Sequence, residues 1–210
     1  MTATSASAKT PVVFVVDDDI SVRESLELLI RSAGWEPELF ETAEQFLTRP
    51  RSTVANCLVL DVNLPDLNGL DLQTMVATER TEMPIIFVTG YGDVPLTVKA
   101  MKAGAVEFLT KPYGDDTMLE AIGMALERST AALATDAEMR NLRARHASLS
   151  RREQEVMALV VTGLLNKQVA YELSISEVTV KAHRGRAMEK MQAQTFADLT
   201  SMARKLGLTQ

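Results

Sequence analysis

Cys57-Leu58-Val59-Leu60-Asp61-Val62-Asn63-Leu64-Pro65-Asp66-Leu67-Asn68-Gly69 decides the fold. Residues 57–60 form an apolar run without polar alternation, the pattern of a strand covered on both faces, as in a parallel sheet. The run ends at a carboxylate, Asp61, and Pro65, Asn68 and Gly69 behind it are turn and loop residues. In open α/β sheets chemistry sits just past the carboxyl ends of the strands, which is where Asp61 falls. Residues 12–16 end the same way, in Asp17-Asp18-Asp19. Two acidic strand ends in one sheet point to a shared cation site.

Outward from this stretch, residues 11–127 alternate five strand-like segments (12–16, 38–40, 57–60, 85–88, 106–109) with five helix-like ones (21–33, 43–47, 70–78, 95–103, 116–127). The alternation predicts an α/β domain with a doubly wound, five-stranded parallel sheet. Ser21 to Glu24 and Thr42 to Gln45 have the capping-box spacing, and Gly34 and Gly104 suit helix C-termini. Residues 1–10 read as a disordered N-terminus. Residues 128–147 are rich in Ala, Glu, Met, Leu and Arg and read as a helical linker. The fifth helix is expected to run on through Arg145, about 30 residues and roughly 45 Å, with weak points at Ser129-Thr130 and Thr135-Asp136. Residues 148–210 read as an all-α, four-helix domain. Ser150 to Glu153 is a capping box, Asn166 and Ser176 are expected helix caps, and Thr195 to Asp198 starts the last helix. The short helices joined across Ser174-Ile175-Ser176 have helix-turn-helix spacing.

Composition is that of an ordinary globular chain, 46% hydrophobic and 24% charged. No apolar run approaches the roughly 18 residues that span a bilayer, and the N-terminus lacks an apolar signal region. With its single Cys57 barred from an internal disulfide, the expected location is cytoplasmic, without membrane contact. The net charge of −6 is uneven: residues 1–127 hold 9 basic against 20 acidic residues, a net of −11, and residues 128–210 hold 13 against 8, a net of +5. A basic module joined to an acidic one makes the second half the candidate for nucleic acid.

Asp17, Asp18 and Asp61 would stand within a few ångströms, tolerable only with a cation or shifted pKa values. An all-oxygen site of this kind suits Mg²⁺. The plain alternative is that the first acids merely cap the helix near Ser21. Two further strand ends tip the balance, for residues 85–88 stop at Thr89 and residues 106–109 run through Thr110 to Lys111-Pro112. A hydroxyl and an ammonium at the same sheet edge are what the oxygens of a phosphoryl group need.

These residues resemble the receiver domains of two-component response regulators. The resemblance implies that Asp61 is the phospho-acceptor, Asp17 and Asp18 the acidic pair, Thr89 the switch hydroxyl and Lys111 the lysine that holds the product. It also implies that the Asn63 main-chain oxygen completes the magnesium shell, that the Lys111-Pro112 bond is cis and that Phe108 turns inward on activation. Residues 90–95 and 102–105 look like the FixJ branch. The second half resembles the LuxR-type output of the FixJ/NarL family through Leu149 to Glu153, Gly163 to Lys167 and Thr179 to Arg184. Lys181, Arg184 and Arg186 on the second helix of the motif suit phosphates and guanine edges, and Ser176 and Thr179 stand at its positive end. With Lys167 and Ala182 they make up the expected DNA-binding set. Gly185 is a departure, because a mid-helix glycine costs roughly 1 kcal/mol; it either lets DNA approach the backbone closely or only softens the helix. His183 reads as a structural residue.

What the resemblance implies is a transcription factor and not an enzyme. A sensor histidine kinase phosphorylates Asp61 with Mg²⁺, and this controls homodimerisation and sequence-specific binding to promoter DNA, RNA polymerase being a further possible partner. Receivers of this kind dimerise around residues 95–111, and the last helix resembles a dimer contact. The rivals are an aspartyl-phosphate phosphatase of the haloacid-dehalogenase type, which would want an acid where Asn63 stands, and a DNA-binding protein whose receiver is never phosphorylated.

Overall fold

The computed structural model describes residues 10–90, 92 and 94–209. The expected disorder of residues 1–10 falls outside them except for Thr10, as do Tyr91 and Asp93 of the FixJ-like stretch. The chain divides into two compact units, one ending at Ala134 and the other beginning at Thr135.

The first unit is a five-stranded parallel sheet in the order β2-β1-β3-β4-β5, with β1 Val12–Val16, β2 Glu36–Phe40, β3 Asn56–Asp61, β4 Ile85–Thr89 and β5 Glu107–Thr110. Helices α1 Ile20–Ser32, α2 Ala43–Leu47, α3 Gly69–Glu79, α4 Val94–Lys102 and α5 Asp115–Ala147 connect and follow the strands. Because side chains alternate along a strand, each strand feeds two cores. Phe14, Val16, Leu58, Leu60 and Phe87 meet Phe46, Leu72, Val76 and Ala100 on one face. Val13, Val15, Cys57, Val59, Ile86 and Val88 meet Leu26, Ile30, Met118 and Ile122 on the other. Burial on both sides is why residues 57–60 show no polar alternation, and it pushes the Cys57 thiol far above its ordinary pKa.

Two expectations in this unit are corrected, and a third is met. Helix α1 is capped by Asp19, whose carboxylate accepts from the Ser21 N–H at 2.8 Å, so Ser21 lies inside the first turn. Strand β2 starts at Glu36 and includes Pro37, which an edge strand tolerates because the missing N–H falls on the side away from the ladder. As expected, the fifth helix runs on through Arg145: α5 is one element from Asp115 to Ala147, unbroken at the weak points Ser129-Thr130 and Thr135-Asp136. Ser129 is fully buried and accepts the Asn56 N–H at 3.0 Å, while the Thr130 hydroxyl donates to the Leu126 carbonyl at 2.8 Å. Both hydroxyls find partners that leave the helical backbone intact.

In the second unit α6 Arg151–Val160, α7 Asn166–Leu173, α8 Glu177–Met191 and α9 Phe196–Lys205 pack with the end of α5. Their core gathers Leu142, Val156, Met157, Val160, Val169, Val180, Ala187, Met191, Leu199 and Ala203. The expected capping box holds at α6, where Ser150 Oγ accepts from Glu153 N and Glu153 accepts from Ser150 N. Asn166 is not the cap of α7. Leu165 takes that place, donating its N–H to Gln168 Oε1 at 2.8 Å, because the longer Gln168 side chain reaches back three residues. Helices α7 and α8 join through Ser174, which is left-handed (φ 53), and Ser176, which caps α8 by accepting from Thr179 N. Among the described residues no helix is long and apolar enough to cross a membrane.

Candidate functional site

The strand order brings the sequence-derived acids together. Neighbours β1 and β3 end in register, Val16 beside Leu60, so Asp17 and Asp61 emerge side by side. Asp61 pairs with Val88 across β3 and β4, and Thr89 with Thr110 across β4 and β5, which places Thr89 and Lys111 at the same edge. Asp17 is fully buried and Asp61 nearly so. One Oδ of each is fixed by a main-chain N–H: Asp19 N to Asp17 Oδ1 at 3.0 Å, and Asn63 N to Asp61 Oδ1 at 2.8 Å. The other Oδ of each accepts from the Lys111 ammonium, at 2.7 Å from Asp17 and 2.6 Å from Asp61. The Lys111-Pro112 bond is cis. Burial raises the Asp17 pKa above the usual carboxylate value, against the lowering pull of Lys111. For Lys111, burial pulls the pKa down, but the bonds to Asp17 and Asp61 prevail and leave it raised.

One carboxylate oxygen each from Asp17, Asp18 and Asp61 lie within 4.8 Å of one another, Asp18 being exposed. Three anionic oxygens with one open side form an acidic pocket of the kind that binds divalent metals, and the donor set fits a hard dication. Thr89 is fully buried, and the Asn63 side-chain amide donates to its Oγ1 at 3.4 Å. Phe108 is half-buried, its ring centroid 6.1 Å from that of Phe87 at a tilt of 40°.

Two residues that hold this site escaped the sequence reading. Asp66 accepts from Ala43 N at 3.4 Å and Glu44 N at 3.1 Å, tying the loop behind Asp61 to the start of α2. No local signal announces a bond across more than twenty residues. Gly69 opens α3 rather than forming a turn: a Cβ there would stand 2.7 Å from the Asp61 carbonyl oxygen and 3.2 Å from Phe87 Cε1. The helix start can press against the end of β3 only without a side chain.

On the second unit, Lys167, Ser176, Lys181, Ala182 and Arg186 are exposed and Thr179 is half-buried, its Oγ1 2.8 Å from Ser176 Oγ. Arg184 differs from the others. It is half-buried, with its guanidinium carbon 5.0 Å from the Phe196 ring centroid and Nη1 donating to Asn166 Oδ1 at 3.4 Å.

One unit carries an acid-lined sheet edge and the other a helix-turn-helix. Residues 13–123 match the response regulator receiver domain family, and residues 147–203 match the luxR family of bacterial regulatory proteins. The chain belongs to the two-component response regulators that join a receiver to a LuxR-type DNA-binding domain, a family of transcription factors rather than enzymes. It is 50% identical to Nodulation protein W of Bradyrhizobium diazoefficiens over 98% of this chain and 90% of that protein. It is 40% identical to the transcriptional regulatory protein FixJ of the same species, over 93% of this chain and 96% of FixJ. Among solved structures it resembles the response regulator StyR, with a TM-score of 0.82 at 44% identity over 93% of this chain and 99% of StyR.

Proposed function

We propose that Asp61 accepts a phosphoryl group from a phosphohistidine of a sensor kinase, with Mg²⁺ bound by Asp17, Asp18, Asp61 and the Asn63 main-chain oxygen. The observation that carries this reading is the Lys111 ammonium bridging Asp17 and Asp61 at 2.7 and 2.6 Å beside the third carboxylate, Asp18. In the transfer the P–N bond of the donor breaks, a P–O bond forms on Asp61, and the departing imidazole takes its proton from solvent. Bound Mg²⁺ would neutralise charge on the phosphoryl oxygens. Lys111 moves from the free carboxylate to a phosphoryl oxygen, and Thr89 donates its hydroxyl to another, which draws the β4 end inward and lets Phe108 follow.

The phosphatase reading is not favoured, because the position two residues after Asp61 is Asn63, whose N–H holds Asp61 and whose amide reaches Thr89. Incubation with acetyl phosphate and Mg²⁺ followed by intact mass tests the proposal. The wild-type chain gains one phosphoryl group and Asp61→Asn gains none; equal labelling of the two would overturn it.

The phosphorylated chain then dimerises and binds promoter DNA through Lys167, Ser176, Thr179, Lys181, Ala182 and Arg186. Exposed Val94, Val98 and Met101 on α4 supply an apolar surface for the dimer. On α9, Leu199 and Ala203 are spent in the core of their own unit, which leaves α4 the better support for this role.

A further inference from the structure

Gly185 sits in the middle of α8, exposed, and it is not one of the glycines with positive φ. A Cβ built there would meet nothing within 4 Å. Neither backbone conformation nor internal packing therefore calls for glycine, although it costs the helix about 1 kcal/mol relative to alanine.

At 100° per residue, positions 178, 182 and 185 fall within about 60° of one another. They lie on the side opposite Val180, Ala187 and Met191, the buried row of the helix. Val178 is 77% exposed in the first turn of α8, a branched apolar side chain with its surface left to solvent. Exposed Lys181 and Arg186 stand on either flank of this face. Arg184 is turned away, engaged by Phe196 and Asn166.

We propose that α8 reads its DNA site through Val178, packed on a thymine C5-methyl group, and through Gly185, where the helix backbone itself comes down onto the groove floor. This rests on the DNA-binding reading above. The thymine methyl is the apolar feature of the major groove, so an exposed valine flanked by cations matches it, the cations taking the phosphates on both sides. The N-terminal residues of a recognition helix are those that reach base edges, and Val178 is there. Seven residues at 1.5 Å carry the contact about 10 Å along the helix to Gly185, some three base-pair steps. Any side chain at 185 would hold α8 off the bases at that point. Glu189, further along the same side, repels phosphates and ends the contact.

The test uses the full-length chain and duplexes selected by it from a randomised pool. Each thymine is then replaced singly by deoxyuridine, which removes only the methyl group. A buried methyl is worth about 0.8 kcal/mol, so one replacement should weaken wild-type binding about fourfold. Val178→Ala should lose that sensitivity at one position. Gly185→Ala should melt at a higher temperature than wild type yet bind about tenfold more weakly. A more stable Gly185→Ala chain with unchanged affinity, or a Val178→Ala chain as sensitive to every deoxyuridine as wild type, would overturn the inference, as would a Gly185→Ala chain that melts lower. Lys181→Ala separates the two levels. If it weakens binding while both other variants bind as wild type, DNA binding through α8 stands and this readout falls. If the wild-type chain selects no duplex above non-specific binding, the DNA reading itself fails.

Discussion

Ser129 Oγ accepts the main-chain N–H of Asn56 at 3.0 Å, with both residues fully buried. The bond ties the middle of α5 to the first residue of β3, the strand whose last residue is Asp61. Ser129→Ala would leave a buried N–H without a partner, which costs about 1–3 kcal/mol. Urea unfolding of the receiver should register the loss as a lower midpoint. An unchanged midpoint would show that the strand does not depend on this bond.

Gly69→Ala should be harmful although alanine is the better helix former. The added Cβ would lie 2.7 Å from the Asp61 carbonyl oxygen and 3.0 Å from Val62 Cα, backbone atoms with little freedom to yield. Overpacking of this kind costs about 1–3 kcal/mol, and it displaces Asp61, the proposed phospho-acceptor. Slower labelling by acetyl phosphate together with a lower melting temperature is expected; normal labelling would show that α3 can shift without moving Asp61.

Lys111→Met removes the cation shared by two buried carboxylates. Leaving them uncompensated should cost roughly 3 kcal/mol in metal-free buffer. Mg²⁺ would then restore more stability to the variant than to wild type, since a ligand stabilises the state that binds it. Melting curves with EDTA and with Mg²⁺ decide the matter, and an equal Mg²⁺ shift in the two proteins would contradict the shared site.

In the second unit Glu153 joins the start of α6 to α8. The Glu153 carboxylate accepts from the Lys190 ammonium at 2.7 Å and from Ser150 N at 2.8 Å, and these bonds lower its pKa, the Lys190 bond foremost. A lowered folded-state pKa contributes stability that is present above the unfolded value, about 4.3, and lost as pH falls through the folded value. Glu153→Gln should reduce stability at pH 7 and flatten the loss below about pH 4.3. Parallel melting profiles for the two proteins between pH 3 and 7 would be the contrary result.

Lys181→Ala and Arg184→Ala should fail differently. Lys181 is exposed, so its loss should weaken DNA binding, reduce the salt slope by about one and leave the melting temperature unchanged. Arg184 lies over Phe196, so its loss should cost about 0.5–1 kcal/mol of stability with little change in salt slope. Calorimetry and binding titrations at several salt concentrations separate the two, and identical profiles would contradict the distinction.

Legibility followed the range of the interactions. The apolar run at 57–60, the acids that end it and the hydroxyl and lysine at the other strand ends are local patterns, and they sufficed for the sheet, its parallel sense and the acidic pocket at its carboxyl edge. The alternation of strand and helix is likewise local, since each element must bury one face against its neighbours whatever the details of packing. Composition pointed to a continuous α5, and tertiary structure disposed of its weak point, because the Ser129 hydroxyl is spent on Asn56. It decided that Asp66 ties the site loop to α2 and that Gly69 touches Asp61, contacts between positions no periodicity relates. It also decided the fate of Arg184: charge and spacing set it among the DNA residues, but only the packing of α7, α8 and α9 brings Asn166 and Phe196 to its guanidinium. A side chain's type is written in the sequence, whereas its partner is chosen by whichever distant segment the core delivers to it.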